Sequence, residues 1–216
     1  MASEIRAPLG DAADAAGGRT ATRAGLLDAA SALMREGDTM EISLSEIAQK
    51  ADVNSALVKY YFGSKRGLFL ALLERDAHAA IERLGHLLEM DISPTQKLRL
   101  HLTGLVNAYA LYPYNTRLIC TLMRDSSEEE AKQISDRYVR PIADAQARLL
   151  AEGVQAGEFK PCDPTMFYFS VVGACEEIFV SRQILKYCFG VSTFSASQRK
   201  LFTEQVTAML LSGIAV

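Results

Sequence analysis

Between Val53 and Arg66 the chain carries three cations, Lys59, Lys65 and Arg66, and no carboxylate. Ser55, Tyr60, Tyr61 and Ser64 are interspersed among them, adding hydroxyl donors and aromatic flanks. This mixture suits a surface that meets a phosphate backbone, where cations displace condensed counterions and hydroxyls hold oxygens. The basic character is local, because the whole chain has a formal charge of −3. Lys65 and Arg66 also fall where a helix should begin, against the usual preference for acids in a first turn. That placement becomes favourable when a phosphate arrives at free N–H groups and two cations.

The elements that must position these residues follow from local pattern. Ser43 and Glu46 have capping-box spacing. Leu44, Ile47, Ala48 and Ala51 then recur on one helical face. Asp52 stands where a turn must fall, and Asp tolerates left-handed backbone better than most residues. Asn54 or Ser55 caps the next helix. Val58 and Phe62 point inward there, with Val53 just before it, while Ser55, Ala56, Lys59 and Tyr60 point outward. Gly63 ends that helix and Ser64 caps a third. The layout predicts a supporting helix, a tight turn and a helix able to enter a DNA groove.

The run Leu44-x-x-Ile47-Ala48-x-x-Ala51-x-Val53-x-x-x-x-Val58-x-x-Tyr61-Phe62-x-Ser64-Lys65 resembles the DNA-binding domain of the TetR family of bacterial regulators. Thr22-Arg23-x-x-Leu26-Leu27-Asp28-Ala29-Ala30-x-x-Leu33-Met34-x-x-x-Gly37 is similar to that family's first helix. Together these cover residues 22–76, about a quarter of the chain. The resemblance implies DNA contacts from Thr22, Ser43, Ser55, Ala56, Leu57, Lys59, Tyr60, Tyr61 and Lys65. It also implies a double-stranded operator with two-fold related half-sites, a homodimer formed through the last two helices, and a small-molecule effector. Four departures stand out. Asp52 replaces the glycine usual in the turn, and the Gly37–Ser43 loop is about one residue longer. Lys59 occupies a position that is often Tyr, and Leu57 replaces a small polar residue, so the operator sequence does not carry over.

With 216 residues, 49% of them hydrophobic, the chain can bury a large core in one or two domains. Mean hydropathy is +0.06. No apolar run approaches the ~18 residues needed to span a bilayer. Residues 1–19 are rich in Ala and Gly, lack the apolar core of a signal peptide, and are expected to form a disordered tail. Arg19 and Arg23 at its junction are placed either to reach a phosphate or to stay solvated. The expected location is cytoplasmic. Cys120, Cys162, Cys175 and Cys188 show no paired spacing and are expected to be reduced core or pocket residues. His78, His86 and His101 lack metal-site spacing and are expected at the surface or its boundary.

From Ser64 onward the pattern is helical throughout, which predicts an all-α chain of about nine helices. A three-helix helix-turn-helix domain is expected over 20–66 and a ligand-binding and dimerisation bundle over 67–216. Helices are expected over about 65–90, 94–112, 113–124, 128–156 with a kink at Pro141, 164–187, and from Ser195 or Ser197 to about 212. The helix over 164–187 is apolar on two faces, so it needs two apolar neighbours. Phe167, Val171, Ala174 and Ile178, with Phe202, Val206 and Met209 from the last helix, are the expected dimer interface.

Tyr109, Tyr112, Cys120, Met123, Tyr168 and Phe179 suit a small apolar or aromatic ligand, with ordinary core as the competing reading. Glu176 and Arg117 are added as polar handles, Glu176 for a cationic or hydroxyl-bearing ligand and Arg117 for an anion. No nucleophile–base pair, metal cluster or phosphate loop is present. That sets an enzyme aside and calls for no metal, cofactor or membrane partner. Two readings remain: a repressor released from its operator by a small ligand, and a ligand-independent DNA-bound regulator acting through a protein partner.

Overall fold

The computed structural model describes the backbone of residues 11–216 and the side chains from Thr20 onward. Residues 1–10 of the expected tail, and the side chains over 11–19 with that of Arg19 among them, lie outside the described residues; the backbone over 11–19 is helical as the start of α1 rather than disordered, because the Ala-rich run continues the helical ladder. Eleven helices appear among the described residues: α1 (Asp11–Gly37), α2 (Leu44–Lys50), α3 (Ser55–Phe62), α4 (Lys65–Leu88), α5 (Pro94–Leu111), α6 (Asn115–Arg124), α7 (Glu128–Tyr138), α8 (Arg140–Gln155), α9 (Pro164–Val180), α10 (Arg182–Phe189) and α11 (Ala196–Ile214). Extended pairing among the described residues is limited to one isolated bridge between Phe159 and Ala215. The chain divides within α4 into a unit ending at Leu72 and a unit over Leu73–Val216.

In the first unit α1, α2, α3 and the start of α4 share a small core of Leu26, Leu27, Met34, Ile47, Val58 and Leu68, none more than 2% exposed. Local chemistry fixes its turns. Asp52 adopts φ +53° between α2 and α3, and Gly63 adopts φ +70° after α3. Gly67 is required by close approach: a Cβ there would lie 2.0 Å from the Phe62 carbonyl oxygen.

In the second unit the core joins α5, α8, α9 and α11 through residues such as Leu102, Leu150, Val171, Cys175 and Leu211. Capping boxes start α5 at Ser93, α7 at Ser127 and α11 at Ser195, so Ser195 rather than Ser197 opens the last helix. Buried polar contacts tie the later part of α4 to its neighbours. The Tyr114 hydroxyl donates to Asp76 Oδ2 at 2.7 Å, and Arg75 pairs with the same carboxylate at 2.8 Å. Lys97 Nζ donates to the Leu88 carbonyl at 2.7 Å and to Glu152 at 3.1 Å, closing the C-terminal end of α4.

Two expected helices are each broken in two. The helix expected over 128–156 ends at Tyr138 and restarts at Arg140, because Pro141 has no N–H to continue the ladder. The helix expected over 164–187 breaks at Ser181, whose backbone leaves the helical region at φ −95°, ψ 41°. Its hydroxyl donates to the Glu177 carboxylate, a local alternative to the ladder.

Candidate functional site

The α2–turn–α3–α4 segment assembles from its own caps. Ser43 Oγ accepts from the Glu46 amide at 3.1 Å, and Glu46 Oε2 accepts from the Ser43 amide at 2.7 Å. The Ser43 hydroxyl first, and its backbone amide second, hold the Glu46 carboxyl below its usual range by hydrogen bonding to it. Asn54 Oδ1 accepts from the Ala56 amide at 2.8 Å, which starts α3, and Ser64 Oγ accepts from the Gly67 amide at 3.1 Å, which starts α4. With Val58 wholly buried, α3 is locked in phase, and Ser55, Ala56, Lys59 and Tyr60 are exposed. Tyr60 is 71% exposed and meets Tyr61 edge-on at 5.2 Å. Leu57, Tyr61 and Lys65 are half-buried, and Ser43 is exposed. Lys65 lies over the Phe69 ring at 5.3 Å. Thr22 is half-buried on α1, and Arg23 stacks over Phe62 at 5.3 Å while remaining exposed. The segment therefore presents cations and hydroxyls at two helix starts and along one exposed helix face, a geometry suited to phosphates and base edges.

Within the second unit, the later half of α4, α5 and Ile142 of α8 line a cavity of about 330 Å³. Its wall is mostly apolar, with Leu84, Leu87, Leu100 and Leu105 among the lining side chains. None of the eight expected ligand residues lines it. On α5, Leu100, Gly104 and Ala108 follow one another at four-residue spacing, and the two small residues leave the hollow open. That spacing was available in the sequence as a cue. His101, expected near the surface, also lines the cavity and is only 5% exposed. It faces Gln146 at 3.0 Å, and the Gln146 Oε1 atom has no hydrogen-bond partner. Burial pushes the His101 pKa down to about 4, so its imidazole is neutral at pH 7.

Five of the expected ligand residues gather elsewhere, between α5, α6 and α9. Glu176 is 9% exposed, and burial raises its pKa against the opposing effects of a Thr116 hydrogen bond and the Arg117 charge. Tyr109 and Tyr168 lie close enough to Glu176 for its charge to raise their pKa values, after burial itself. Cys120 adds a smaller effect on Tyr168. The other three do not join them. Tyr112 sits edge-on to Tyr114 at 6.2 Å, Met123 is half-buried on α6, and Phe179 packs in the core against Phe194 and Phe202.

The expected interface residues are mostly used inside the chain. Phe167, Val171 and Val206 are buried in the core, and Ala174, Ile178 and Phe202 pack against it. Only Met209, at 72% exposure, stands clear. The reason is helix phase: α9 turns its Phe167–Val171–Ile178 side to its own core. Its opposite side exposes Met166 at 65% and Phe169 at 66%, and α11 exposes Leu201 at 55%. The cysteines also divide: Cys175 is buried, but Cys120 and Cys188 are exposed rather than in the core. No group of residues able to hold a metal ion occurs among the described residues, nor any helix long and apolar enough to cross a membrane.

Residues 26–72 match the family profile described as bacterial regulatory proteins, tetR family, and residues 91–216 match the tetracyclin repressor-like C-terminal domain. The HTH-type transcriptional regulator RutR of Escherichia coli (strain K12) is 25% identical over 128 residues, 59% of this chain and 59% of RutR. The match thus spans less than two thirds of that relative's length. The ketosteroid transcriptional regulator KstR2 of Mycobacterium tuberculosis superposes with a TM-score of 0.72 at 18% identity, covering 90% of this chain and 95% of KstR2. The transcriptional regulator FadR of Bacillus subtilis, solved in complex with stearoyl-CoA, gives 0.67 at 21% identity, covering 88% and 98%. At these identities the two structures speak to the fold alone.

Proposed function

The chain belongs to the TetR family of DNA-binding transcriptional regulators, and on that premise we propose that it is a homodimeric repressor released from its operator by a small, largely apolar ligand. The observation that carries the DNA half is the exposed face of α3, free of acids from Val53 to Arg66. Ser55, Ala56, Leu57, Lys59 and Tyr60 read base edges, with Lys59 the donor best suited to guanine. Thr22, Ser43, Tyr61 and Lys65 hold phosphates, because each lies at a helix end or on the flank of α3.

The ligand half rests on the apolar cavity, whose wall includes Leu84 and Leu87 of α4. The same helix begins with Lys65 at the candidate DNA surface. A ligand that prefers a shifted α4 lowers operator affinity, and operator must then weaken that ligand by the same factor. The mostly apolar lining, with Arg83 and His86 as its other polar members beside His101, suits molecules of the kind named for two structural relatives, a ketosteroid regulator and a complex with stearoyl-CoA. Neutral His101 supplies one hydrogen-bonding group within it, while Glu176 with Tyr109, Tyr168 and Arg117 forms a second polar cluster for ligand atoms. The second copy covers Met166, Phe169, Leu201 and Met209, the exposed apolar side of α9 and α11.

Ligand release is tested by gel shift of the protein on a selected operator against a panel of steroids, fatty acids and aromatic acids. At least one member should free the DNA, and Gly104→Leu, which fills the cavity, should abolish that response while leaving DNA binding intact. Release that persists in Gly104→Leu would remove the cavity from the account, and no release by any member would favour control through a protein partner.

A further inference from the structure

A second hollow lies in the same unit, apart from the α4–α5–α8 cavity. Its volume is about 340 Å³, and α9, α10, the loop over 191–194 and α11 supply most of its wall. Two guanidinium groups, Arg182 and Arg199, line it, and none of the lining residues is acidic. Arg199 is half-buried, and its guanidinium makes no ion pair or hydrogen bond among the described residues. Ser192 and Thr193 add hydroxyls at the rim. The floor is apolar, with Ile178 and Leu185 beside an edge-to-face aromatic pair, Phe179 and Phe194, at 5.7 Å.

A half-buried cation with no counter-charge is a standing electrostatic cost, and an incoming anion removes it. Guanidinium groups bind carboxylate and phosphate oxygens with charge-assisted hydrogen bonds, while the floor takes only apolar atoms. We infer that this hollow is a second ligand site, specific for a small amphipathic anion whose carboxylate or phosphate head meets Arg199 and Arg182 and whose apolar part lies on Phe179 and Phe194. The inference goes beyond the apolar cavity and stands without it. The shape favours a free small anion over a carboxylate of a second copy, because the hydroxyls and the apolar floor form a hollow rather than a flat face.

Isothermal titration of the full chain with octanoate, octyl phosphate and octanol tests this, using Gly104→Leu protein to silence the other cavity. The expected result is saturable binding of octanoate or octyl phosphate, one per chain and weakened by salt, with octanol roughly tenfold weaker or more. Comparing octanoate with octyl phosphate identifies which head group the site takes. Arg199→Gln should erase the preference for anion over alcohol, and Arg199→Lys should restore part of it. Sedimentation of each variant should show an unchanged oligomeric state. Equal binding of octanol and the two anions, an anion preference that survives Arg199→Gln, or dissociation of the oligomer by that variant would each overturn the assignment.

Discussion

On α3, Ser55, Ala56, Lys59 and Tyr60 stand in solvent, whereas in the later unit His101, Gln146, Asp76 and Glu176 are all buried to 9% exposure or less. The first set is held out by one buried anchor, Val58, and by caps made within the segment. The second set exists only because separate helices converge: His101 and Gln146 are 45 positions apart, and Asp76 and Tyr114 are 38. Surface polar groups are available to an outside partner and contribute little to folding. Buried ones contribute much to folding and are available only to something that enters the bundle. Substitutions in the two regions should therefore separate cleanly into effects on stability and effects on DNA.

The largest effect is expected at His101. Its folded-state pKa is about 4, below the ordinary 6.5. As pH falls the unfolded chain binds that proton first, so stability is lost between about pH 6.5 and pH 4 and the loss then levels off. Each tenfold difference in proton affinity is worth ~1.4 kcal/mol, which makes the total loss roughly 3 kcal/mol. His101→Gln, which keeps a polar partner for Gln146, should remove that share of the pH dependence in urea titrations at pH 7 and pH 4.5. An unchanged dependence would mean that His101 titrates as a solvated group and does not belong with the buried polar set.

Next comes Tyr114→Phe. It deletes a 2.7 Å donor to the Asp76 carboxylate, whose side chain is 0% exposed. A lost hydrogen bond to a buried charge costs about 1.5–3 kcal/mol. Thermal denaturation should register that loss, while preference for operator over unrelated DNA stays the same. A change in that preference would show that this buried contact shapes the DNA surface.

The reverse pattern is expected on α3. Lys59→Ala should leave the melting temperature alone and weaken operator binding more than non-specific binding, by about 1–3 kcal/mol. Equal weakening on both would make Lys59 a phosphate contact. Lys65→Ala supplies the contrast, and is the smallest effect. It should weaken all DNA alike and lower the slope of log affinity against log salt by about one. A slope that does not move would take Lys65 off the phosphates.

The same division explains what could be read from the chain before its structure. The recognition segment was legible because every determinant is local: the Ser43–Glu46 box, the Asp52 turn at φ +53° and the Gly63 stop all lie within a few residues of what they position. Helix starts at Ser93, Ser127 and Asp163 were legible for the same reason. The residues expected to face a second copy mostly turn into the chain's own core because α9 is apolar on both sides, and periodicity alone does not say which side meets that core. The breaks at Val139 and Ser181 escaped because a proline signals a kink without fixing its depth, and a serine in a helix usually signals nothing. His101 escaped because its burial depends on Gln146 from a distant helix. The cluster at Glu176 was recoverable in part because a carboxylate inside an apolar helix needs partners, and Tyr109, Arg117 and Tyr168 were the nearby candidates.

Selection of genomic fragments by the purified protein, followed by sequencing of what is retained, shows whether α3 reads DNA sequence. The retained fragments should share one sequence with two-fold symmetry, its half-sites centred one helical turn or a multiple apart, ~34–36 Å per turn. Lys59→Ala protein should retain the same fragments with reduced enrichment over unrelated DNA. Retention of fragments with no sequence in common, or retention of none, would contradict the assignment of α3 as the element that reads DNA.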